Sequence, residues 1–278
     1  MSAETTPPPA PAGASRPLRD AWAVMRAVVF ALFLRELKTR MGGRWWGIAW
    51  IVGEPVASAA VLLAMYSVVH ARVVGGVDTL LFLVSGVLPF QLFKHLVLRS
   101  MESIDANQGL FAYRQVRPID AVTARALVEV VLALAVATVA VSLLAWLGHD
   151  VMPRFPLELI GVSVLLVALG ATLGLLAAVA TGGALARARA AIRVASMPLM
   201  IVSGVAFPVS VLPPAAREAF AVNPLLHLLE GVRCAVFGSA YHAMPEATIA
   251  WPAATWLVAS TLALALYVQR RERLRTSA

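Results

Sequence analysis

The sequence predicts an all-α integral membrane protein with about six transmembrane helices, an N-terminal interfacial helix and a re-entrant helix pair before the last span. Three observations support this fold class. Hydrophobic residues make up 60% of the 278 positions and charged residues only 14%, with a mean hydropathy of +0.81. Apolar segments recur at close to the roughly 20 residues that a spanning helix needs. Lys and Arg lie mainly beside alternate segments, which is typical of a membrane protein with a fixed orientation.

The chain begins with two segments that cannot span a membrane. Residues 1–16 are rich in Pro and Ala and are expected to form a disordered tail. Residues 17–44 are predicted to be helical, but their longest uncharged run, 27–34, is too short to cross a bilayer. This helix is therefore expected to lie along the cytoplasmic interface, or alternatively to pack on the bundle as a cytosolic helix. It is followed by three tryptophans typical of a membrane interface, Trp45, Trp46 and Trp50.

Six apolar segments are predicted to span the membrane. They cover about residues 50–71, 79–98, 122–147, 158–182, 192–212 and 248–269. The second contains Pro89 and continues past Lys94 and His95, whose polar ends can snorkel or face protein.

The distribution of Lys and Arg predicts the orientation of these spans. With both termini in the cytoplasm, nineteen of the 23 basic residues lie in cytoplasmic segments or at the cytoplasmic ends of the spans. The outer connections hold the other four, which are Arg72, Arg154, Arg217 and Arg233. A shift of the topology by one span would invert this bias, so the sequence predicts that both termini are cytoplasmic.

Residues 214–238 are predicted to form a re-entrant helix pair. A short helical stretch follows Pro213, and a second begins at Asn223-Pro224, where Asn is a good N-cap and Pro a good first helical residue. The second helix has about 14 residues and a length of roughly 21 Å, which is less than the ~30 Å of hydrocarbon that a spanning helix crosses. Two half-helices within the membrane therefore fit better than a soluble loop.

Several kinds of chemistry have no motif in this sequence. The only lysines, Lys38 and Lys94, do not follow glycine, so the chain lacks the loop with which an ATPase binds phosphate. It has no HExxH pair, and its single cysteine, Cys234, has no partner. No catalytic residue, metal site or cofactor is predicted. Nucleic-acid binding is not expected either, because the basic residues flank apolar spans.

Small residues within the spans are interpreted as helix-packing positions. Ser85-Gly86 and Ser203-Gly204 raise the possibility of an intramembrane serine protease, but neither has a GxSG context and no histidine in the later spans is available as a base. Close helix packing explains both pairs better, and it also explains Gly170 and Gly174. The repetition of SGVLP at 85–89 as SGVAFP at 203–208 suggests that spans two and five are similar kinked helices.

Two carboxylates near predicted spans need an explanation because charge is costly there. Arg125 precedes Glu129 by one helical turn, and the two are predicted to pair. Glu54, at the start of the first span, fits a functional and a structural role equally well.

Residues 33–55, 107–125 and 203–242 resemble the ABC-2 permeases of capsular polysaccharide export, and the likeness covers nearly the whole chain after residue 17. The resemblance implies one ABC-2 type transmembrane domain over residues 17–278, in a multi-pass permease of the bacterial inner (plasma) membrane. It implies a homodimer that lies in membrane lipid and binds two nucleotide-binding ATPase subunits. This complex moves a lipid-linked polysaccharide outward, with further export partners in the periplasm. One alternative is the same architecture with another substrate, such as an O-antigen, a teichoic acid, a lipid or a drug. The other is a self-contained channel or intramembrane enzyme.

The resemblance also implies three groups of site residues. Residues expected to contact the ATPase subunits are Arg35, Lys38, Arg40, Asn107, Leu110, Phe111, Tyr113, Arg114 and Arg117. Candidates for the channel and its substrate are Trp46, Glu54, Phe90, Phe93 and Phe207, although packing against lipid is an equal alternative for the aromatic side chains. Candidates for an outer gate are Asn223, Pro224, His227, Glu230 and Arg233. A solvated basic loop is the alternative for the residues between Asn107 and Arg117.

Overall fold

The computed structural model describes residues 18–41, 53–54, 56–58, 60–61, 64, 73–74, 76–113, 115–181 and 186–276. These residues are mostly α-helical, as the sequence predicts. The helices are α1 (Leu18–Met41), α2 (Thr79–Met101), α3 (Pro118–Trp146), α4 (Pro156–Thr181), α5 (Ala186–Val202), α6 (Pro214–Ala221), α7 (Pro224–Phe237) and α8 (Ala250–Thr276). Two short antiparallel strands, β1 (Val73–Val74) and β2 (Val77–Asp78), precede α2, and Val74 pairs with Val77. The predicted N-terminal tail, most of the predicted first span and Trp46 lie outside the described residues.

Local capping chemistry explains where two of the long helices begin. Asp78 precedes α2, and its carboxylate accepts hydrogen bonds from the amides of Leu80 and Leu81 at 2.9 and 3.3 Å. At the start of α3, Pro118 occupies the first helical position and the Asp120 carboxylate accepts from the Arg117 amide at 2.9 Å. These contacts satisfy amides that have no partner within the helix.

Four helices of the described chain are long and apolar enough to cross a membrane. They are Thr79–Met101, Pro118–Trp146, Pro156–Thr181 and Ala250–Glu272. Their ends lie within a few residues of the second, third, fourth and sixth predicted spans. This supports the coarse assignment of an all-α integral membrane protein.

The fifth predicted span differs most from the structure. Helix α5 ends at Val202, and residues 203–212 form a turn followed by a short 3₁₀ helix, Val209–Val211. The prediction of one helix over 192–212 is therefore wrong in its second half. Gly204 has a φ of 67°, which ends the helix, and Pro208 disfavours helical geometry in the residue before it. The repeated SGV sequences consequently have different structures, helical at 85–87 and a turn at 203–205.

The segment before the last helix contains a sharp bend. Helix α6 and the helical segment Pro224–Ala240 meet at 104°. Asn223 caps α7, as predicted, since its side-chain oxygen accepts from the Leu225 amide at 3.1 Å and Pro224 is the first helical residue. We call α6 and α7 the bent pair. Its insertion into the membrane stays a prediction.

The main apolar core lies between α2, α4 and α7. Its fully buried members include Phe82, Leu83, Leu169 and Leu229. Gly174 permits the close approach of α2 to α4, because a Cβ atom there would lie 2.6 Å from the Ser100 Cβ atom. A Cβ atom on Gly170 would lie 3.1 Å from Leu96. Both glycines thus act as packing positions, as predicted.

Candidate functional site

The loop between α2 and α3 is fixed by a buried asparagine. This connecting loop, residues 102–117, contains the 3₁₀ helix Asp105–Leu110. Asn107 donates from Nδ2 to the Ser103 carbonyl at 2.7 Å and accepts a hydrogen bond from the Arg35 guanidinium of α1. The two elements expected to contact ATPase subunits, α1 and the connecting loop, therefore contact each other.

The structure divides the predicted contact residues of this loop into inward and outward groups. Phe111 is only 6% exposed and packs with a second apolar cluster that includes Ile104, Val122 and Val179. Tyr113, by contrast, is 66% exposed. Asn107 and Phe111 are thus buried and shape the loop from inside, and their contact with an ATPase subunit stays a prediction. Exposed residues of the predicted set are Arg35, Lys38, Tyr113 and Arg117; Leu110 and Arg40 are partly buried, and Arg114 lies outside the described residues.

Ion pairs connect the loop to the start of α5. Asp105 pairs with Arg189, and Glu102 pairs with Arg193. Arg189 also donates to the Thr181 carbonyl at 2.9 Å, and Arg270 of α8 donates to the Val179 carbonyl at 3.1 Å. The last carbonyls of α4 thereby obtain partners that the helix itself cannot supply. The connecting loop meets the C-terminal ends of α4 and α8 and the N-terminal end of α5 here. We call this region the loop end of the protein.

A network of ion pairs between α1, α2 and α3 adjoins these contacts, and the name loop end includes it. Glu129, which is 2% exposed, pairs with Arg40, and Arg125 pairs with Glu36 at 2.9 Å. The predicted pair between Arg125 and Glu129 is therefore wrong. Arg125 and Glu129 lie one turn apart on α3, and each pairs with a residue of α1. This is because α1 packs alongside α3 and carries Glu36 and Arg40.

Glu54 belongs to the same region, and its two partners, Lys94 and His95, lie on α2. Its carboxylate lies 2.6 Å from Lys94 Nζ and 3.3 Å from His95 Nε2. Both polar and apolar side chains line the adjoining cleft. Its lining includes Arg40, Glu54, Gln91, His95, Arg99 and Glu129, with Leu88, Leu92, Leu132, Ala133 and Val136. Of the predicted channel residues that the structure describes, Glu54 is the one that lines this cleft.

The predicted aromatic channel residues that the structure describes lie in or against the main apolar core. Phe90 and Phe93 are buried in the core between the helices. Phe207 follows α5, and its ring centroid lies 6.4 Å from that of Phe220 in α6. Within the described residues, these side chains therefore contribute to packing, and a role in a channel stays a prediction.

Helix α7 of the bent pair contains a fully buried ion pair. Arg233 and Glu230 of α7 are both 0% exposed, and Arg233 Nη1 donates to Glu230 Oε1 at 3.2 Å. The Tyr241 hydroxyl donates to the same carboxylate at 2.7 Å, and the Met244 amide donates to its other oxygen at 3.0 Å. The guanidinium carbon lies 3.9 Å from the centroid of the Phe82 ring. Each acceptor and charge of Glu230 is thus matched, as burial requires.

His227 connects the two helices of the bent pair to the segment before α8. Its Nδ1 accepts from the Thr248 amide at 3.0 Å, so Nε2 is the protonated nitrogen of a neutral ring and donates to the Ala221 carbonyl at 2.7 Å. Asn223 Nδ2 donates to Ser203 Oγ at 2.9 Å. Among the outer-gate candidates, Asn223, His227, Glu230 and Arg233 thus have defined partners, and Pro224 starts α7.

Sequence reasoning missed the partners of these residues. No motif marks Tyr241 and Thr248, which bind Glu230 and His227 from 11 and 21 positions away. The ion pairs of the connecting loop, Glu102 with Arg193 and Asp105 with Arg189, likewise join residues that lie far apart in the sequence. The one available signal was the excess of arginine at the start of α5, which the charge count used only for orientation.

Comparison with known proteins relates nearly the whole chain to one group. Residues 27–237 match the family described as ABC-2 type transporter. The polysialic acid transport protein KpsM of Escherichia coli is 33% identical over 261 residues, which cover 93% of this chain and 99% of that protein. The capsule polysaccharide export inner-membrane protein CtrC of Neisseria meningitidis serogroup B is 27% identical over 222 residues, 79% of this chain and 83% of that protein. Its counterpart BexB of Haemophilus influenzae is 26% identical over 257 residues, 89% of this chain and 91% of that protein.

Proposed function

The chain belongs to the ABC-2 type transporter family, and from this premise we propose that it is the permease subunit of an ATP-binding cassette exporter for lipid-linked capsular polysaccharide. The observation that carries the proposal is its similarity along nearly its full length to a polysialic acid transport protein and to capsule polysaccharide export inner-membrane proteins. The apolar helices of the described chain support a location in the bacterial inner membrane.

The proposed exporter contains two copies of this chain and two ATPase subunits. The permease hydrolyses no ATP itself in this proposal, because its sequence has no phosphate-binding loop. Periplasmic proteins that receive the polysaccharide are further proposed partners. The permease supplies the path through the membrane, and the ATPase subunits supply the energy.

The ATPase subunits are proposed to bind at the loop end. The exposed side chains of Tyr113 and Arg117 lie on the connecting loop, and the exposed Lys38 lies near the end of α1. Aromatic and arginine side chains are frequent anchors of protein interfaces. The bond between Arg35 and Asn107 fixes the two elements relative to each other, so one partner can engage both.

The placement of the loop end in the cytoplasm is supported by charge. Three arginines of the loop end, Arg189, Arg193 and Arg270, are among those that the positive-inside bias places in the cytoplasm. The opposite end carries β1, β2 and the C-terminal part of α7, where the Arg154 amide donates to the Val236 carbonyl. We call this the bent-pair end, and we propose that it faces outward and that α6 and α7 close the exit of the path.

Deletion of the gene in its native organism tests the proposed function. The expected result is loss of surface polysaccharide and accumulation of the lipid-linked polymer inside the cell, both reversed by the wild-type gene. Surface polysaccharide is measured by antibody or lectin binding, and the internal polymer by extraction and gel analysis. Normal surface polysaccharide in the deletion strain would refute capsular export, and accumulation of a different lipid-linked molecule would identify another substrate.

A further inference from the structure

The two SGV sequences of the chain meet at one buried arginine. Arg233 Nη2 donates to the Val205 carbonyl in the second SGV turn at 3.2 Å. A Cβ atom on Gly86, in the first SGV sequence, would lie 2.6 Å from the same Nη2 and 3.1 Å from the Val205 oxygen. Arg233 therefore occupies the narrow space between α2, the turn after α5 and α7.

Gly86 has a specific reason to lack a side chain. Glycine inside a helix costs about 1 kcal/mol relative to alanine, so α2 would gain helical stability from almost any other residue at this position. Even the smallest side chain, however, would displace the guanidinium from the Val205 carbonyl. The absence of a side chain at position 86 is thus matched to the presence of arginine at position 233.

The buried charge is not the most stable way to fill this space. Replacement of a buried ion pair by apolar side chains is often neutral or stabilising, because both charges lose their hydration. In addition, the buried Nε of Arg233 has no hydrogen-bond partner among the described residues. What the guanidinium supplies, and an apolar side chain would not, is simultaneous directed contact with Glu230, Val205 and the Phe82 ring.

Helix α2 connects this arginine to the loop end. It has 23 residues and a length of roughly 34 Å. Phe82 and Gly86 lie in its first half, and its last residue, Met101, leads directly into the connecting loop. A displacement of the loop by a bound ATPase would therefore act on α2, and α2 contacts the bent pair through Arg233.

We propose that Arg233 is a positioning residue of the exporter, which fixes α7 and the 203–205 turn to α2 so that they follow the movement of the connecting loop. This inference rests on the proposed function. It assigns Arg233 to transmission within the protein and gives it no contact with the transported molecule.

The test uses the complex of the permease with its ATPase subunits, reconstituted in vesicles with lipid-linked polysaccharide. The variants are Arg233→Lys, which keeps the charge but loses the planar fork of donors, Gly86→Ala and the double variant. The matched control is Gly161→Ala in α4, where a Cβ atom would meet nothing within 4 Å. The measured quantities are the amount of assembled complex and the polysaccharide exported per ATP hydrolysed.

Each single variant at Gly86 or Arg233 is expected to lower export per ATP about tenfold, a typical size for a residue that modulates coupling, and Gly161→Ala is expected to match the wild type. The double variant should resemble Arg233→Lys alone, because both changes disrupt the same contact.

Independent effects that multiply in the double variant would overturn the proposal, as would wild-type export per ATP in either single variant. If the variants only reduce the amount of assembled complex, Arg233 is a structural residue and the proposal is wrong. Failure of the wild-type complex to export polysaccharide would instead refute the proposed function.

Discussion

The two ends of the protein use charge in different ways. At the loop end, ion pairs join separate elements: α1 to α3 through Arg40 and Glu129, and the connecting loop to α5 through Glu102 and Arg193. At the bent-pair end, Glu230 and Arg233 belong to one helix and are fully buried. Most loop-end pairs retain some contact with solvent, whereas the pair of Glu230 and Arg233 has none. The bent-pair end also has a partly exposed pair, Arg217 of α6 with Glu246, so the contrast concerns the pair on α7.

This difference indicates which parts of the structure are adjustable. A solvent-exposed pair contributes little stability and can exchange partners at small cost. A buried pair can be opened only by exposing uncompensated charge. The partly exposed pairs between the connecting loop and α5 are therefore suited to rearrange when a partner binds. The buried pairs, Arg40 with Glu129 and Arg233 with Glu230, are suited to keep their local geometry.

The largest expected effect on stability comes from Glu129, the most buried carboxylate of the loop end. Glu129→Ala should lower the free energy of unfolding by about 3 kcal/mol, because Arg40 would remain partly buried without its partner. Thermal or denaturant unfolding of the purified protein in detergent measures this. A loss below about 1 kcal/mol, the range of an exposed pair, would show that the pair of Glu129 and Arg40 contributes no more than an exposed pair does, despite its burial.

Gly174 tests how far apolar packing, rather than charge, holds the loop end together. A methyl group there would lie 2.6 Å from the Ser100 Cβ atom and 2.7 Å from the Leu96 carbonyl oxygen. Gly174→Ala should therefore destabilise the protein by about 2 kcal/mol through overpacking. The same unfolding assay applies, with Gly161→Ala as the control. Equal stability of the two variants would contradict a tight contact between α2 and α4.

Tyr113 tests whether the exposed part of the connecting loop is a contact surface. Tyr113→Ala should leave the stability of the permease unchanged, since the ring is 66% exposed. It should weaken ATPase binding about tenfold, as loss of an aromatic interface anchor does. Titration of the ATPase subunit onto immobilised permease measures the affinity. Unchanged affinity would favour a solvated loop. Phe111→Ala is a useful contrast, because that buried side chain should affect stability as well.

The pair between Glu102 and Arg193 should contribute least to stability. Arg193 is 57% exposed, so Glu102→Ala is expected to cost less than about 1 kcal/mol. Unfolding experiments at low and high salt provide the check, and the small difference should vanish at high salt. A salt-independent loss comparable to that of Glu129→Ala would remove the contrast within the loop end.

Cys234 reports on which side of the membrane the bent pair lies, with no expected change in stability. Its side chain is half-buried, so slow reaction with a membrane-impermeant maleimide is expected from the outside of spheroplasts. Inside-out vesicles and detergent-solubilised protein serve as controls. Labelling confined to inside-out vesicles would place the bent-pair end in the cytoplasm and contradict the proposed orientation.

The sequence was sufficient for features that depend on local chemistry. Apolar runs of spanning length predicted the four long helices, since a helix satisfies its backbone hydrogen bonds within one segment. The Asn223-Pro224 pair predicted the start of α7, because a cap and a first-turn proline act within a few residues. The family resemblance, carried by long segments in order, predicted the transporter class.

Only the tertiary structure decided which side chains meet. Glu129 has Arg125 within one turn but pairs with Arg40, which is 89 positions away, because the packing of α1 on α3 determines the available partner. The two SGV sequences are identical, yet the first is helical and the second is a turn, since Gly204 and Pro208 end α5. Both sequences lie against Arg233, a residue that the distribution of Lys and Arg predicted to lie in an outer connection. Periodicity and capping are properties of a few neighbouring residues, whereas partner choice depends on distances between helices, which no short stretch of sequence contains.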